Sequence, residues 1–213
     1  MTCEPWDTID YRAARALYDS RYKIHQRLMK AFQEGDVHNY VELALGIDEP
    51  GGNYSAAEHG LGPRILQRSP PERVFELAQR LLVCEVPAKV PEVVYKANLP
   101  YLKISVGSEM AALLGPDVFW VTNVRTIWAH LVMKHNNNVG LANEELYYYR
   151  TQDLPSEMDY PLWRDIHPLV GSSMESLAHL GSRLAEERGI EPGNLRFLWA
   201  DTIADTAYNK YSR

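Results

Sequence analysis

Helical periodicity of the apolar residues runs along nearly the whole chain, and it is the feature that most constrains the fold. In the first segment, from about Asp7 to Gln33, apolar residues recur at spacings of three and four, as on one side of a helix. The chain has no convincing run of alternating Val, Ile and Thr residues such as a half-buried strand would show. Only the fragment YLKISVG, from Tyr101 to Gly107, offers a brief strand as an alternative. We therefore predict an all-α fold.

Glycine and proline residues divide this helical chain into segments. They are crowded between Gly46 and Pro71, which predicts a long loop over residues 46–71 with a turn of helix in its middle. Further on, Ser156 is a suitable N-cap for a long helical region that runs to Arg188. We expect Pro168 to kink or divide that region. The prediction is one domain, residues 1–213, built as a bundle of about seven or eight helices.

Composition limits the environment in which the protein works. The 213 residues are 46% hydrophobic and 23% charged, which is typical of a soluble domain with one core. The net charge of −6 disfavours general binding to nucleic acid. Cys3 and Cys84 are too few for a disulfide framework, and the acidic N-terminus is not typical of a signal peptide. We expect a cytoplasmic protein with no membrane association.

One predicted helix, Pro116 to Asn138, has an unusual polar side. Its apolar side carries Trp120, Val121, Val124, Ile127, Trp128, Leu131 and Val132, and its other side carries Thr122, Asn123, Arg125, Thr126, His130 and Lys134. A solvated helix face usually mixes Glu, Lys and Gln. The Asn, Thr, His and Lys residues at 123, 126, 130 and 134 therefore suggest a pocket for a small molecule or anion. The alternative is that they cap neighbouring helices or satisfy buried backbone groups.

Arg125 and His130 form an R-x4-H pattern within this helix. The pattern resembles the motif of HEPN-type ribonucleases, all-helical domains that dimerise and act without a metal. The resemblance covers this helix alone. It implies that His130 is a general acid or base and that Arg125 holds the scissile phosphate of RNA. The two residues lie about 140° apart on an ideal helix, so they converge only if a partner chain folds around them.

A second candidate site is the glycine-rich stretch NYSAAEHGLGPR. Glu58 and His59 lie beside glycines that would let the backbone approach a ligand, and Arg64 could pair with a phosphate. The stretch lacks the pattern of a P-loop. An ordinary surface loop is the alternative.

Two pairs of side chains at i, i+4 spacing each place two potential metal ligands on one helical face. Glu175 and His179 share one helical face, as do Asp201 and Asp205. Neither pair is supported by a second Glu-His pair, so we expect surface salt bridges or capping roles. The sequence also lacks H-E-x-x-H, a nucleophile elbow and a catalytic cysteine context. We expect no metal and no cofactor.

These observations favour an accessory or protein-interaction role, with a homodimer through the long C-terminal helices. Two alternatives remain open. One is a HEPN-like ribonuclease that uses Arg125 and His130 across a dimer. The other is a small-ligand-binding protein centred on Asn123, His130 and His59.

Overall fold

The protein is described by a computed structural model, which covers residues 5–150 and 160–212 except the side chains of Tyr148 and Arg150. Within these ranges the chain has eleven α-helices and no β-strand, which confirms the all-α prediction. The helices are α1 (Tyr11–Glu34), α2 (Val37–Ala44), α3 (Tyr54–Glu58), α4 (Leu61–Arg68), α5 (Pro71–Leu82), α6 (Val90–Ala97), α7 (Ile104–Leu114), α8 (Val124–Lys134), α9 (Val139–Arg150), α10 (Tyr160–Glu186) and α11 (Arg196–Tyr211). Short 3-10 turns occupy Pro5–Thr8, Pro50–Gly52 and Pro87–Lys89.

The predicted number of seven or eight helices is wrong, and the segment 46–71 accounts for part of the difference. The long loop is not confirmed, because a 3-10 turn, α3 and α4 lie there instead. The Asn53 side chain accepts a hydrogen bond from the Ala56 N–H and so caps α3. Gly60, with φ of +58°, then supplies the left-handed residue between α3 and α4. The glycines and prolines of this segment thus lie at the ends of short helices and do not prevent helices from forming.

The predicted helix over residues 116–138 is shorter than expected, because α8 begins at Val124. Asn123 is its N-cap and forms a capping box with Thr126, so the residues before Asn123 lie outside the helix. Trp120, which was expected on the apolar side, is only partly buried, whereas Trp128 is completely buried. The YLKISVG fragment forms no strand, since α7 starts within it.

The long helical region predicted up to Arg188 is one helix, α10, over its described part. α10 continues through Pro168 without being divided, and the predicted N-cap at Ser156 lies outside the described residues. α8, α10 and α11 contact one another, and α1 packs against α11. No helix in the described part of the chain is long and apolar enough to cross a bilayer.

α7 lies at the centre of this packing. It contacts α1, α3, α5, α6 and α11, and its residues from Val106 to Leu114 are all buried. One of these residues is charged, since Glu109 is completely buried. The helices around α7 therefore have to supply hydrogen-bond donors to a carboxylate inside the core.

Candidate functional site: a buried charge network

Charged side chains from four helices meet beside α7. We call this set the charge network; its members are Arg21 on α1, Glu109 on α7, Arg125 on α8, and Asp201 and Asp205 on α11. Charges buried away from water are costly unless they are paired or hydrogen-bonded. A cluster of such charges is therefore unusual in a protein core.

The inner end of the charge network is an ion pair between Arg21 and Asp201. Arg21 Nη1 donates to Asp201 Oδ2, and the two side chains are only 2% and 4% exposed. The Nε and Nη2 atoms of Arg21 have no hydrogen-bond partner among the described residues. This guanidinium is thus paired by charge but incompletely satisfied in hydrogen bonding.

Glu109 connects α7 to the start of two other helices. Its Oε1 accepts hydrogen bonds from Ser55 Oγ at 2.6 Å and from Asn123 Nδ2 at 2.8 Å, with the Ser55 N–H at 3.3 Å. Its Oε2 accepts from the Tyr54 N–H at 2.7 Å. The carboxylate therefore satisfies backbone donors in the first turn of α3 and holds the residue that caps α8.

The outer end of the charge network approaches the surface. Arg125 Nε lies 2.7 Å from Asp205 Oδ1, and Arg125 Nη2 lies 3.7 Å from Glu58 Oε2. The Tyr54 ring lies between the two arginines, with its centroid 5.0 Å from Arg21 Cζ and 5.2 Å from Arg125 Cζ. Glu58 is 54% exposed, whereas Asp205 and Arg125 are 14% and 18% exposed. Solvent therefore reaches the outer end only.

Burial raises the pKa of the two aspartates of the charge network. It raises the pKa of Asp201 to about 6, although the Arg21 charge opposes this and Glu109 adds to it. Burial also raises the pKa of Asp205, against the opposing charge of Arg125. For Arg21, burial acts to lower the pKa, but the Asp201 and Glu109 carboxylates together raise it. The arginine remains charged while Asp201 can hold a proton near neutral pH.

Three of the residues predicted from sequence come together here. Arg125 belongs to the charge network, Glu58 borders it, and Asn123 bonds to Glu109. Thr126 is buried beside them, where its hydroxyl accepts a hydrogen bond from the Asn123 N–H at 3.0 Å. Asn123 and Thr126 thus cap α8 itself rather than a neighbouring helix.

The other predicted residues lie elsewhere. His130 Nδ1 is 2.8 Å from Ser173 Oγ on α10, and burial lowers the His130 pKa. Lys134 pairs with Glu145 at 2.6 Å on the surface. His59 is exposed at the end of α3, and Arg64 stacks on the Tyr101 ring with 4.2 Å between Cζ and the centroid. The polar stripe of α8 is thus divided among three different neighbourhoods.

Arg125 and His130 do not form a cleft within one chain. Arg125 contacts α11 and α3, whereas His130 contacts α10, in keeping with their angular separation on the helix. Arg125 is also paired with two carboxylates, which would compete with a phosphate. The nuclease interpretation remains a prediction that depends on a second chain.

The acidic pair on α11 differs from its expected surface role. Asp201 is buried, because α1 packs over this face of α11 and brings Arg21 to it. Glu175 does form a surface salt bridge, at 2.7 Å from Arg196. In the part of the chain that is described, no three His, Cys, Asp or Glu side chains are grouped so as to hold a metal ion.

Arg21 and Glu109 were missed by sequence reasoning, although both leave a signal. Arg21 lies three residues after Tyr18 and three before Ile24, on the buried side of α1. Glu109 is the one charged residue in ISVGSEMAALL. A charge at a core position of a helix predicts an opposite charge or several donors facing it.

No protein-family model, curated protein or solved structure matches the chain. The charge network ties α1, α3, α7, α8 and α11 together, and only its outer end is open to a solute. Its inner groups bond to one another, which is the arrangement of a structural core.

Proposed function

We propose that the protein has an accessory role and acts by binding another protein. The observation that supports this is an exposed apolar turn at the C-terminal end of α5, which consists of Leu82, Val83 and Val86. Their side chains are 42%, 74% and 46% exposed. Single exposed apolar residues are common, but several within five positions are typical of an interaction surface.

The apolar turn has a fixed shape. The Cys84 N–H donates to the Leu81 carbonyl at 3.1 Å, and the Lys89 N–H donates to the Val86 carbonyl at 2.8 Å. Behind the turn, His167 Nε2 on α10 lies 3.2 Å from the Pro87 carbonyl oxygen. A rigid surface loses little conformational entropy on binding, which favours affinity.

The test is site-specific photocrosslinking in the cells that make the protein. A photoreactive benzoyl-phenylalanine at position 83 should give a discrete adduct, whereas the same group at the exposed position 30 on α1 should not. The Val86→Asp substitution should reduce the adduct at position 83. An adduct of twice the chain mass would identify a second copy as the partner. Identical crosslinking from positions 83 and 30 would contradict the proposal.

We place this activity in the cytoplasm. The Cys84 thiol is free and partly buried, in keeping with a reducing compartment. A homodimer through the C-terminal helices is the alternative proposal. Among the described residues of α10 and α11, Leu169 is the one large apolar residue that is exposed, at 53%. The two helices therefore offer little apolar surface to a second copy.

A further inference from the structure

Helix α3 has little apolar surface to hold it in the core. It has five residues, and Ala56 is its one buried apolar residue. The burial of a single methyl side chain contributes little free energy, and a helix this short does not form by itself in water. The position of α3 therefore depends on polar contacts with its neighbours.

The charge network supplies contacts at both ends of α3. At the first residue, the Tyr54 N–H donates to Glu109 Oε2 at 2.7 Å. The Tyr54 ring lies between Arg21 and Arg125, with its centroid 5.0 Å and 5.2 Å from their Cζ atoms. At the last residue, Glu58 Oε2 lies 3.7 Å from Arg125 Nη2. The charge network is thus the main anchor of α3.

The chain on the two sides of α3 is held differently. On the N-terminal side, Asn53 Nδ2 donates to the Ala44 carbonyl at 3.2 Å and to the Val106 carbonyl at 3.0 Å. These bonds fix Asn53 to α2 and α7. On the C-terminal side, Gly60 is in the left-handed region and a Cβ there would meet nothing within 4 Å. Residues 54–60 can therefore leave the core while Asn53 stays in place.

The charges of the network do not balance when all five groups are ionised. Three carboxylates face two guanidiniums, which leaves one excess negative charge among largely buried side chains. The titratable groups that act on Asp201 are Arg21, Tyr54, Glu109, Arg125 and Asp205. Unbalanced charge is costly away from water, and one proton on Asp201 removes the excess. Burial accordingly raises the pKa of Asp201 to about 6.

We propose that loss of a proton from Asp201 releases α3 from the core, so that the charge network is a pH-sensitive switch for this helix. Release lets water reach Glu109 and Asp201 and hydrate the excess charge. The other helices of the network are longer and more deeply buried, so α3 is the element that moves at the smallest cost. The proposal is independent of the protein-binding role of residues 82–86.

The direction of the switch follows from linkage. With α3 in place Asp201 holds its proton up to about pH 6, whereas a hydrated Asp201 would lose it near its ordinary value of 3.8. The fraction of molecules with α3 released should therefore rise by about tenfold per pH unit between these values and then level off. Acidification keeps α3 in the core.

The test is amide hydrogen exchange of the full chain, followed by NMR from about pH 4.5 to about pH 7.5 and corrected for the intrinsic exchange rate. The Tyr54 and Ser55 amides should exchange through an opening that increases with pH and levels off above about pH 6. The amides of α7 should stay more strongly protected throughout. Equal protection of α3 and α7 would overturn the proposal, as would an opening of α3 that does not change with pH.

Two variants assign the effect to Asp201. Asp201→Asn keeps the shape of the protonated side chain, so the opening of α3 should be small and independent of pH. Asp165→Asn removes an exposed carboxylate of α10 that pairs with Arg164, and it should keep the original pH profile. Circular dichroism checks that each variant is folded, and the comparison of α3 with α7 in the unaltered protein needs neither variant. An unchanged pH profile in folded Asp201→Asn would overturn the proposal.

Discussion

At the scale of single residues, the charge network shows how a core accommodates ions. Burial removes the hydration of Arg21 and Asp201, and the attraction between their charges offsets part of the lost hydration free energy. For Glu109 a larger part is offset, because four hydrogen-bond donors contact its carboxylate. Removing one partner of the ion pair should therefore lower the free energy of unfolding by more than the intact pair adds to it.

Arg21→Met should destabilise the protein by about 3–5 kcal/mol, because it leaves the buried Asp201 carboxylate unpaired. The double variant Arg21→Met/Asp201→Leu should recover most of that loss. Arg183→Met breaks an exposed pair with Glu187 and should cost no more than about 1 kcal/mol. Urea unfolding followed by circular dichroism measures all three. A double variant less stable than Arg21→Met would contradict this account of the pair.

The raised pKa of Asp201 predicts a specific pH dependence. Between its ordinary value of 3.8 and about 6, the folded protein holds the proton more tightly than the unfolded chain does. The contribution of this group to the free energy of unfolding therefore falls as pH rises through that window. Carboxyl carbon NMR, with Asp201→Asn used for assignment, should give a midpoint near 6. A midpoint below 3.8 would mean that the Arg21 charge outweighs burial.

At the scale of elements, small residues determine how closely segments approach. A Cβ at Gly171 of α10 would lie 2.3 Å from Trp120 Cε2, and a Cβ at Gly181 would lie 2.0 Å from Ile203 Cδ1 of α11. The Trp120 ring cannot easily move, because its Nε1 donates to the His167 carbonyl at 2.8 Å. These glycines are therefore contact sites of α10 rather than sites of chain flexibility.

Gly171→Ala should destabilise the protein by about 1–3 kcal/mol, because the added methyl group displaces the Trp120 ring. Gly140→Ala on α9 is the matched control, since a Cβ there would meet only Asn138 Oδ1, at 3.3 Å. The control should be neutral or stabilising by up to about 1 kcal/mol. Thermal unfolding compares the two. Equal stability of the two variants would show that α10 yields to the methyl group without cost.

At the scale of the whole molecule, the buried apolar side chains form one contiguous cluster. It extends from Trp6 near the N-terminus to Ala207 on α11, and the charge network lies among its helices. The first and last described segments also meet, because Lys210 Nζ donates a hydrogen bond to the Thr8 carbonyl. A continuous core couples the unfolding of distant segments.

The predicted single domain should therefore unfold in one transition. Far-ultraviolet circular dichroism reports all helices, whereas fluorescence reports the five tryptophans, of which Trp6, Trp128, Trp163 and Trp199 lie in the cluster. In guanidinium chloride the two signals should have the same midpoint and slope. Two separated midpoints would instead divide the chain into independently stable units.

Some local structure was predictable because it depends on residues close in sequence. The helical class follows from apolar spacing, and the end of α1 follows from Gly35, which has φ of +68°. The start of α8 was misplaced although the capping box of Asn123 and Thr126 is local. The apolar pattern of α8 extends toward the N-terminus through Trp120 and Val121, which lie before the helix. Periodicity alone cannot distinguish a helix from a short buried extended segment.

The sequence by itself determined the helical class, the residues that form most of the core, and the segments rich in breakers. Tertiary structure alone decided that Arg21 meets Asp201 across 180 positions, and it decided which helices Arg125 and His130 contact. The physical reason is the sequence separation of the interacting residues, because helix periodicity and capping depend on residues only a few positions apart. The pairing of buried charges depends instead on which helix faces pack together, and many arrangements of the same helices would bury the same apolar stripes.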